Sequence, residues 1–421
     1  MERKMRILWF SVTPSLYGSD RNSHNGGGWI ESLERIVTLH NDIELGIAFI
    51  TNDKNAMKVE RHGVKYYPIF IKRNKWERIK DMFHISEYDN VAVKKYLEIV
   101  EDFNPQLIQV FGSEWNFGLI KEFVDIPIII HIQGFWPEYR NSIFPPGVSK
   151  KGYILEKWYK PQSVVHRYLL ERLSEEKAIR EEKILRMNKF YFGRTRWDKA
   201  IVHLYNLNSK YFFCSEALRL PIYSESKKWL FTKQKTFNLI TVGGGHALKG
   251  YDLVLRTAKL MSEYSTFNFR WILCGPTEEN LKVFEKRTGI KHEKVNVFPL
   301  GKCSANQIKE NLLNSSVYVH TSYIDNSPNS VCEAQYLGLP IIATNVGGTI
   351  SLFDKDYPAD MMIPTNDPYY LASKLIELYP NYDLQKKMSE LNYNIAHFRH
   401  DADSIYMSLV EGYKTILASK K

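Results

Sequence analysis

Residues 325–348, DNSPNSVCEAQYLGLPIIATNVGG, constrain the fold more than any other segment of the chain. Two short apolar runs flank the centre of this region and are typical of buried parallel strands, 317–320 and 340–343. Between the runs, Ser327 is a good N-cap, Pro328 suits the first helical position, and Gly338 suits the position just past the helix end. The pattern predicts strand, loop, helix and strand, with a helix N-terminus at the carboxyl end of a strand, where parallel sheets bind ligands.

Two carboxylates, Asp325 and Glu333, lie around this predicted helix start. The free backbone N–H groups of Asn329 and Ser330 would favour an anion there. A carboxylate is poorly suited to holding phosphate and better suited to hydroxyl groups. Since a nucleotide sugar carries both a diphosphate and hydroxyls, we expect that class of ligand.

The segment resembles the signature of the retaining glycosyltransferases of family 4, which have the GT-B fold. The family pattern is Glu, seven residues and Glu, followed by A-x-x-x-G-x-P-[VI]-[VI]-A-T-x-x-G-G. Glu333 matches the second acid, whereas Asp325 replaces the first Glu and shortens its reach by one methylene. The tail matches at nine positions: Ala334, Gly338, Pro340, Ile341, Ile342, Ala343, Thr344, Gly347 and Gly348. The resemblance implies that Asp325 contacts donor-sugar hydroxyls and that Glu333 holds the ribose.

A second glycine-rich segment, 241–255, also follows a predicted strand. Gly243 and Gly244 let the backbone approach a phosphate, and Lys249 adds a positive charge. The family usually has G-R-x-x-x-x-K-G here, with the Arg and Lys clamping the donor diphosphate. Because Gly244 replaces that Arg, either another cation takes its place or backbone N–H groups carry more of the load. A dehydrogenase fingerprint is the rival interpretation, but Leu248 stands where its third glycine would be.

In the first half of the chain, Gly27 and Gly28 would let a loop close over the phosphates. Many family members carry a His after a strand near the reacting sugar, and the equivalent position here is Gln133. His131 lies on the same face of that strand and is either a catalytic candidate or a core histidine. Glu114 is a further polar candidate on the acceptor side.

Arg194 and Arg196 lie at another predicted helix start. Two guanidinium groups there could receive an anion or an acceptor group. The alternative is a structural ion-pair network.

The chain has 421 residues, which exceeds what one hydrophobic core usually supports, and strands alternate with helices in both halves. We predict an α/β protein of two doubly wound, Rossmann-like domains facing across a cleft, as in GT-B. Domain bounds are predicted for the acceptor-side domain, its helical insertion, the linker, the donor domain and a terminal helix that packs back on the first domain: 1–222, 135–187, 223–235, 236–400 and 401–421.

The formal net charge of +10 calls for an anionic partner or a bland explanation. Basic and aromatic residues mix at 71–82 and 150–167, which suits an anionic membrane surface, although solvated helix faces would look similar. Nucleic acid is disfavoured because no recognition motif accompanies the charge. The four separated cysteines fit buried thiols, and no apolar run approaches the ~20 residues of a membrane span. We expect a cytoplasmic protein that associates with the inner face of the plasma membrane.

The combined interpretation is a retaining hexosyltransferase that moves a sugar from a UDP- or GDP-linked donor to a glycan or lipid-linked acceptor, in bacterial cell-surface polysaccharide biosynthesis. No cofactor and no metal are expected, because no DxD-type group stands out. Two alternatives remain open: a sugar-nucleotide epimerase of the same fold, and a catalytically weak assembly subunit that binds nucleotide sugars.

Overall fold

A computed structural model describes residues 4–18, 28–144, 146–155, 160–233 and 235–419. As far as these residues reach, the chain divides into two units. Of the described residues, the N-terminal unit contains those within 4–18, 29–217 and 402–419. The C-terminal unit contains those within 218–401.

Apolar runs in the first half form the strands of the N-terminal sheet. These strands are β1 (Met5–Ser11), β2 (Ile43–Ile50), β3 (Val59–Arg61), β4 (Val64–Ile69), β5 (Leu107–Phe111), β6 (Ile128–His131), β7 (Phe190–Gly193) and β8 (Lys210–Phe213). Their order is β3-β4-β2-β1-β5-β6-β7-β8, and every pair is parallel except β3–β4. The sequence predicted these strands except β3, which is short, exposed and without an apolar run.

Helices lie between these strands along the chain. They are α1 (Gly28–Thr38), α2 (Lys75–Phe83), α3 (Ile85–Phe103), α4 (Trp136–Asn141), α5 (Lys150–Leu155), α6 (Pro161–Met187) and α7 (Arg196–Tyr205). The predicted insertion, 135–187, contains α4, α5 and α6. Helix α6 starts with Pro161 in its first turn, where proline is tolerated.

The last helix of the chain completes the core of the N-terminal unit. Its residues Ala402–Ala418 bury Leu409, Tyr413 and Ile416 among side chains of that unit. The indole N–H of Trp9 donates to the Tyr413 hydroxyl at 3.0 Å. Residues distant in sequence therefore share one apolar core.

The C-terminal sheet is wholly parallel, with the strand order β11-β10-β9-β12-β13-β14. Its strands are β9 (Thr236–Val242), β10 (Asn268–Cys274), β11 (Val297–Gly301), β12 (Val317–His320), β13 (Ile341–Thr344) and β14 (Met362–Ile363). Its helices are α8 (Leu220–Tyr223), α9 (Tyr251–Tyr264), α10 (Glu278–Thr288), α11 (Ala305–Leu313), α12 (Asn329–Tyr336), α13 (Pro368–Leu378) and α14 (Tyr382–Arg399); the terminal helix is α15. Numbered within the unit, the order is that of the doubly wound Rossmann sheet, with its switch point between β9 and β12.

The segment predicted as a linker, 223–235, contributes to the C-terminal core. Trp229 is buried, and its indole N–H donates to the Ser315 carbonyl at 2.7 Å. The division between the units falls instead between Ala217 and Leu218. Within the described residues, no helix combines the length and apolar character that crossing a membrane requires.

Candidate functional site

The candidate site lies at the switch point of the C-terminal sheet, where β9 and β12 are neighbours. The segments that leave their carboxyl ends are the glycine loop after β9, residues 243–250, and the acidic loop after β12, residues 321–328. Crevices of this kind are where open α/β sheets bind ligands, because the following loops and helix N-termini diverge there.

Hydrogen bonds to backbone carbonyls join the two loops. The Thr321 hydroxyl donates to the Lys249 carbonyl at 2.7 Å, and the Tyr323 N–H donates to the Leu248 carbonyl at 2.8 Å. Gly250 has φ +68°, and a Cβ there would lie 2.0 Å from the Thr321 carbonyl oxygen. Only glycine fits this approach, so the loop that carries Lys249 has a fixed position relative to β12.

Lys249 and Asp325 are in direct contact, as the sequence predicted for one shared site. The Lys249 Nζ lies 2.6 Å from Oδ2 of Asp325. Burial favours the neutral form of Asp325, but the Lys249 ammonium, the His320 side chain and hydrogen bonds outweigh it and hold the pKa of this carboxyl below its usual value. Asp325 is therefore a carboxylate at neutral pH.

The two glycines that end the motif shape the backbone at Asp325. The Gly348 N–H donates to the Asp325 carbonyl at 3.0 Å. Gly347 has φ +49°, and a Cβ there would lie 2.1 Å from the same oxygen. The Gly-Gly pair thus supports the acidic loop, a role that the motif alone did not reveal.

Helix α12 begins one residue later than predicted. Pro328 is its N-cap rather than its first helical residue, and no side chain caps the helix, so the prediction of Ser327 as the cap was wrong. The proline ring and the turn that includes Ser327 set the start instead. Gly338, with φ +81°, follows the C-cap Leu337 as predicted.

The first turn of α12 presents polar groups beside Asp325. Within the described residues, no hydrogen bond uses the backbone N–H of Asn329 or Ser330. The Tyr318 hydroxyl donates to Oγ of Ser330 at 2.8 Å. Burial first, and then Asp325 and Glu333, raise the pKa of Tyr318, so this phenol stays a neutral donor between the two acids.

Glu333 is buried in α12, one turn beyond Asn329. Its Oε2 lies 2.6 Å from NH2 of Arg219. No local sequence signal joins Arg219 to Glu333, because the two residues are 114 positions apart.

Gly244 is exposed in the glycine loop. A Cβ there would lie 3.2 Å from the ring of His246, while Gly243 packs on the stem of Lys249. The Tyr251 hydroxyl donates to the carbonyls of Gly243 and Gly244, at 2.9 and 3.0 Å. These two hydrogen bonds fix the position of the loop's carbonyl groups.

His131 of the N-terminal unit is a core histidine. It is fully buried, packs among Trp29, Phe111 and Phe192, and has its Nδ1 3.4 Å from Nε2 of Gln109. Burial, with a contribution from the nearby Arg194, lowers its pKa to about 3. These observations fit the interpretation of His131 as a core histidine. They do not fit a role in proton transfer at neutral pH.

Arg194 likewise fits the alternative of a structural ion pair. Its NH1 lies 2.9 Å from Oε2 of Glu216, and both side chains are buried. Arg196 is exposed at the start of α7, and Gln133 follows β6 in a half-buried position. Gly28 is the first residue of α1, and Gly27 lies outside the described residues.

Glu114 follows β5 at the switch point of the N-terminal sheet, and a second acid from α6 accompanies it. Glu181 accepts from the Ser113 hydroxyl at 2.5 Å and from the Trp136 N–H at 2.7 Å. Burial raises the pKa of both carboxyls, and Glu114 raises that of Glu181 further. The sequence could not reveal Glu181, which lies in a charged helix of the insertion.

Within the part of the chain that the structure describes, no three His, Cys, Asp or Glu side chains are grouped as they would be around a metal ion. The sites in both units are therefore described by their hydrogen-bonding and charged groups alone.

The class of the C-terminal unit follows from comparison with known proteins. Residues 224–395, nearly the whole of this unit, match the model of the family described as glycosyl transferases group 1. The glycine loop, Lys249, Asp325 and Glu333 all lie within that match. No curated protein matches the sequence.

Solved structures extend the likeness to the whole chain. Sucrose-phosphate synthase from Thermosynechococcus elongatus superposes with a TM-score of 0.72 at 12% identity, over 99% of this chain and 100% of that one. TarM gives 0.65 at 12% identity over 98% of both chains. HepE of Anabaena, solved with UDP and glucose, gives 0.59 at 13% identity over 97% of this chain and 99% of that one. The fold is GT-B, which confirms the predicted fold class.

Proposed function

We propose that the protein is a retaining glycosyltransferase that uses a nucleotide diphosphate sugar as its donor. The observation that carries the proposal is the contact of Lys249 with Asp325 at the switch point of a glycosyltransferase group 1 domain. One cation for the diphosphate and one carboxylate for hydroxyls then stand side by side. HepE, a structural neighbour, has been solved with UDP-glucose, which supports a donor of this class.

Donor binding would divide the ligand among three groups of the C-terminal unit. The N–H groups of Asn329 and Ser330, together with Lys249, take the diphosphate. Glu333, held by Arg219, accepts from the ribose hydroxyls. Asp325 accepts from hydroxyls of the transferred sugar. Asp325 and Lys249 form an ion pair, so donor binding would exchange this pair for contacts with the ligand.

Catalysis would rest mainly on electrostatic stabilisation of the departing diphosphate. Lys249 and the helix N-terminus are positioned before the reaction, so they need no reorganisation as negative charge develops on the leaving oxygen. His131 is buried in the core and so supplies no nucleophile or base. Front-face attack by the acceptor hydroxyl, with its proton passing to the leaving phosphate, retains the anomeric configuration. The reaction is proposed to need no metal, so chelation with EDTA should leave the rate unchanged.

The acceptor would be a glycan or lipid-linked hydroxyl, presented at an anionic membrane surface. The two predicted basic and aromatic stretches carry exposed apolar side chains in the structure, including Trp76 on α2 and Val165 on α6. Some of their basic residues are engaged, such as Lys150 with Glu175 at 2.6 Å. The apolar side chains support peripheral contact more directly than the net charge does. Polysaccharide assembly at the inner face of the plasma membrane is the process that fits.

Acceptor-dependent release of nucleoside diphosphate tests the proposal. The purified protein is incubated with a panel of UDP- and GDP-sugars, with and without bacterial lipid extract. Transfer predicts release only with acceptor, and the anomeric proton of the product should show the donor's configuration. Formation of an epimer without acceptor would show an isomerase, and binding without turnover would show an assembly subunit.

A further inference from the structure

His320 is a buried polar side chain beside the candidate donor site that the preceding account leaves without a role. It is the last residue of β12, and its side chain is 3% exposed. Its ring lies nearly parallel to that of Tyr318, at 17° with centroids 6.5 Å apart. Within the described residues, its buried Nε2 has no hydrogen-bond partner. A buried ring nitrogen without a partner is unfavourable, so a ligand group that pairs with it at this site would be stabilised.

The nitrogen faces the acid of the site. Nε2 of His320 lies 3.6 Å from Oδ2 of Asp325, too far for a hydrogen bond. The same oxygen holds Lys249 at 2.6 Å. Burial lowers the pKa of His320 to about 4, with Asp325 opposing and Lys249 adding to the effect. The imidazole is therefore neutral at neutral pH, and it offers one N–H donor rather than a charge.

We propose that His320 and Asp325 together recognise one hydroxyl of the donor sugar. The hydroxyl donates to Oδ2 of Asp325 and accepts from the Nε2–H of His320. This inference rests on the proposed function and adds a specificity-determining residue to it.

The chemistry of the pair favours a hydroxyl over other ligand groups. A hydroxyl both donates and accepts, and it is complementary to one acceptor and one neutral donor. A phosphate oxygen would be repelled by Asp325, and a cation would find a donor instead of a second acceptor. One hydroxyl oxygen can lie about 2.8 Å from both Nε2 of His320 and Oδ2 of Asp325 at the observed distance between these two atoms. It also satisfies Nε2, which the protein leaves unsatisfied.

The consequence is selectivity among donor sugars. A sugar that lacks this hydroxyl, or presents it in the opposite configuration, leaves both Nε2 and part of Asp325 unpaired in a buried place. Sites built to hydrogen-bond a hydroxyl reject analogues without it more strongly than apolar pockets reject a missing methylene.

Two variants separate recognition from packing. His320→Phe keeps an aromatic ring beside Tyr318 and removes the N–H, and His320→Gln keeps an N–H donor. Titration calorimetry measures the affinity of each protein for two ligands. One is the nucleotide sugar of the UDP and GDP panel that the wild-type protein binds most tightly, and the other is the matching nucleoside diphosphate. We expect His320→Phe to weaken sugar binding on the order of tenfold and to leave the diphosphate unchanged. His320→Gln should recover part of the loss.

Deoxy donors identify the hydroxyl. The wild type and His320→Phe are compared on a series of donors, each lacking one sugar hydroxyl. For one donor of the series we expect the two proteins to bind with equal affinity, because that donor lacks the hydroxyl that His320 contacts. The inference is overturned if His320→Phe binds every donor as the wild type does. It is equally overturned if both variants lose sugar and diphosphate in parallel, which would mark a structural residue. Wild-type protein that binds no nucleotide sugar contradicts the proposed function itself, before any variant is made.

Discussion

Gly244 stands where the family resemblance predicts an arginine. Its φ is outside the left-handed region, and among the described residues a Cβ there would meet only the exposed side chain of His246. A longer side chain can therefore be accommodated. We expect Gly244→Arg to tighten binding of the nucleoside diphosphate roughly three- to tenfold, since a guanidinium can pair bidentately with phosphate.

Calorimetric titration measures this change, with Gly152→Arg in α5 as a control of equal charge. Equal affinity for wild type and Gly244→Arg would contradict the prediction and show that another group already occupies the place of the guanidinium.

Glu181 gives a pH-dependent prediction at the same scale. Burial and Glu114 raise its pKa, while the Arg180 guanidinium opposes them. A carboxyl with a raised pKa holds its proton in the folded state after the unfolded state has lost it. Stability is therefore full below the unfolded pKa and falls as the pH rises toward the folded one. Glu181→Gln removes this loss, so its advantage in Tm should grow between about pH 5 and about pH 8.

Thermal unfolding across that range is the measurement. Glu182→Gln makes the same charge change on the next residue of α6, where the side chain is partly exposed. A Tm difference for Glu181→Gln that stays constant with pH would show that the carboxyl is ionised in the folded protein.

At the scale of elements, the junction of the glycine loop with α9 depends on Gly250. Gly289 at the end of α10 has a similar φ, +72°, but no atom of the described residues would lie within 4 Å of a Cβ added there. We expect Gly289→Ala to lower the free energy of unfolding by about 1 kcal/mol, the cost of a left-handed backbone. Gly250→Ala adds a clash with the Thr321 carbonyl and should cost more than about 3 kcal/mol. Urea unfolding compares the two, and equal losses would show that the loops are not fastened as described.

Helix α2 carries the prediction for membrane contact. Trp76 is 80% exposed in it, beside basic residues. Trp76→Ala should weaken binding to vesicles of anionic phospholipid roughly tenfold, since a tryptophan inserted at the interface buries a large apolar area. Tyr369→Ala, which removes an exposed aromatic from the C-terminal unit, is the control. Co-sedimentation with the vesicles measures the binding of both variants. Unchanged binding by Trp76→Ala would show that α2 does not contact the membrane.

For the molecule as a whole, the alternation of apolar runs and helical segments sufficed to predict two doubly wound sheets. For apolar runs such as 43–50 and 317–320, the predicted bounds equal the bounds of the strands, because both faces of those strands are buried. The exposed strand β3 lacked that signal. The boundary between the units was placed in a polar stretch, although Trp229 fixes most of that stretch to the C-terminal core.

The candidate site could be predicted where its residues are close in sequence. Asp325 and Glu333 follow from one local motif, and Lys249 from another. Arg219 and Glu181 could not be predicted, because they meet the candidate residues only through tertiary structure. His320 is close to Asp325 in sequence, but its last position in an apolar strand gave no signal of a polar role. His131 shows the opposite case, since its place on an apolar strand fitted two roles and only burial decides between them.

The central claim is that Lys249, Asp325 and Glu333 form one donor site in the C-terminal unit. Calorimetric titration of the preferred nucleotide sugar tests it in Lys249→Met, Asp325→Asn and Glu333→Gln, with Lys259→Met, an exposed position of α9, as the control. The account predicts saturable binding to the wild type and the control, and a loss of tenfold or more (roughly 1.4 kcal/mol) in each of the three variants. Wild-type affinity in all three would contradict it.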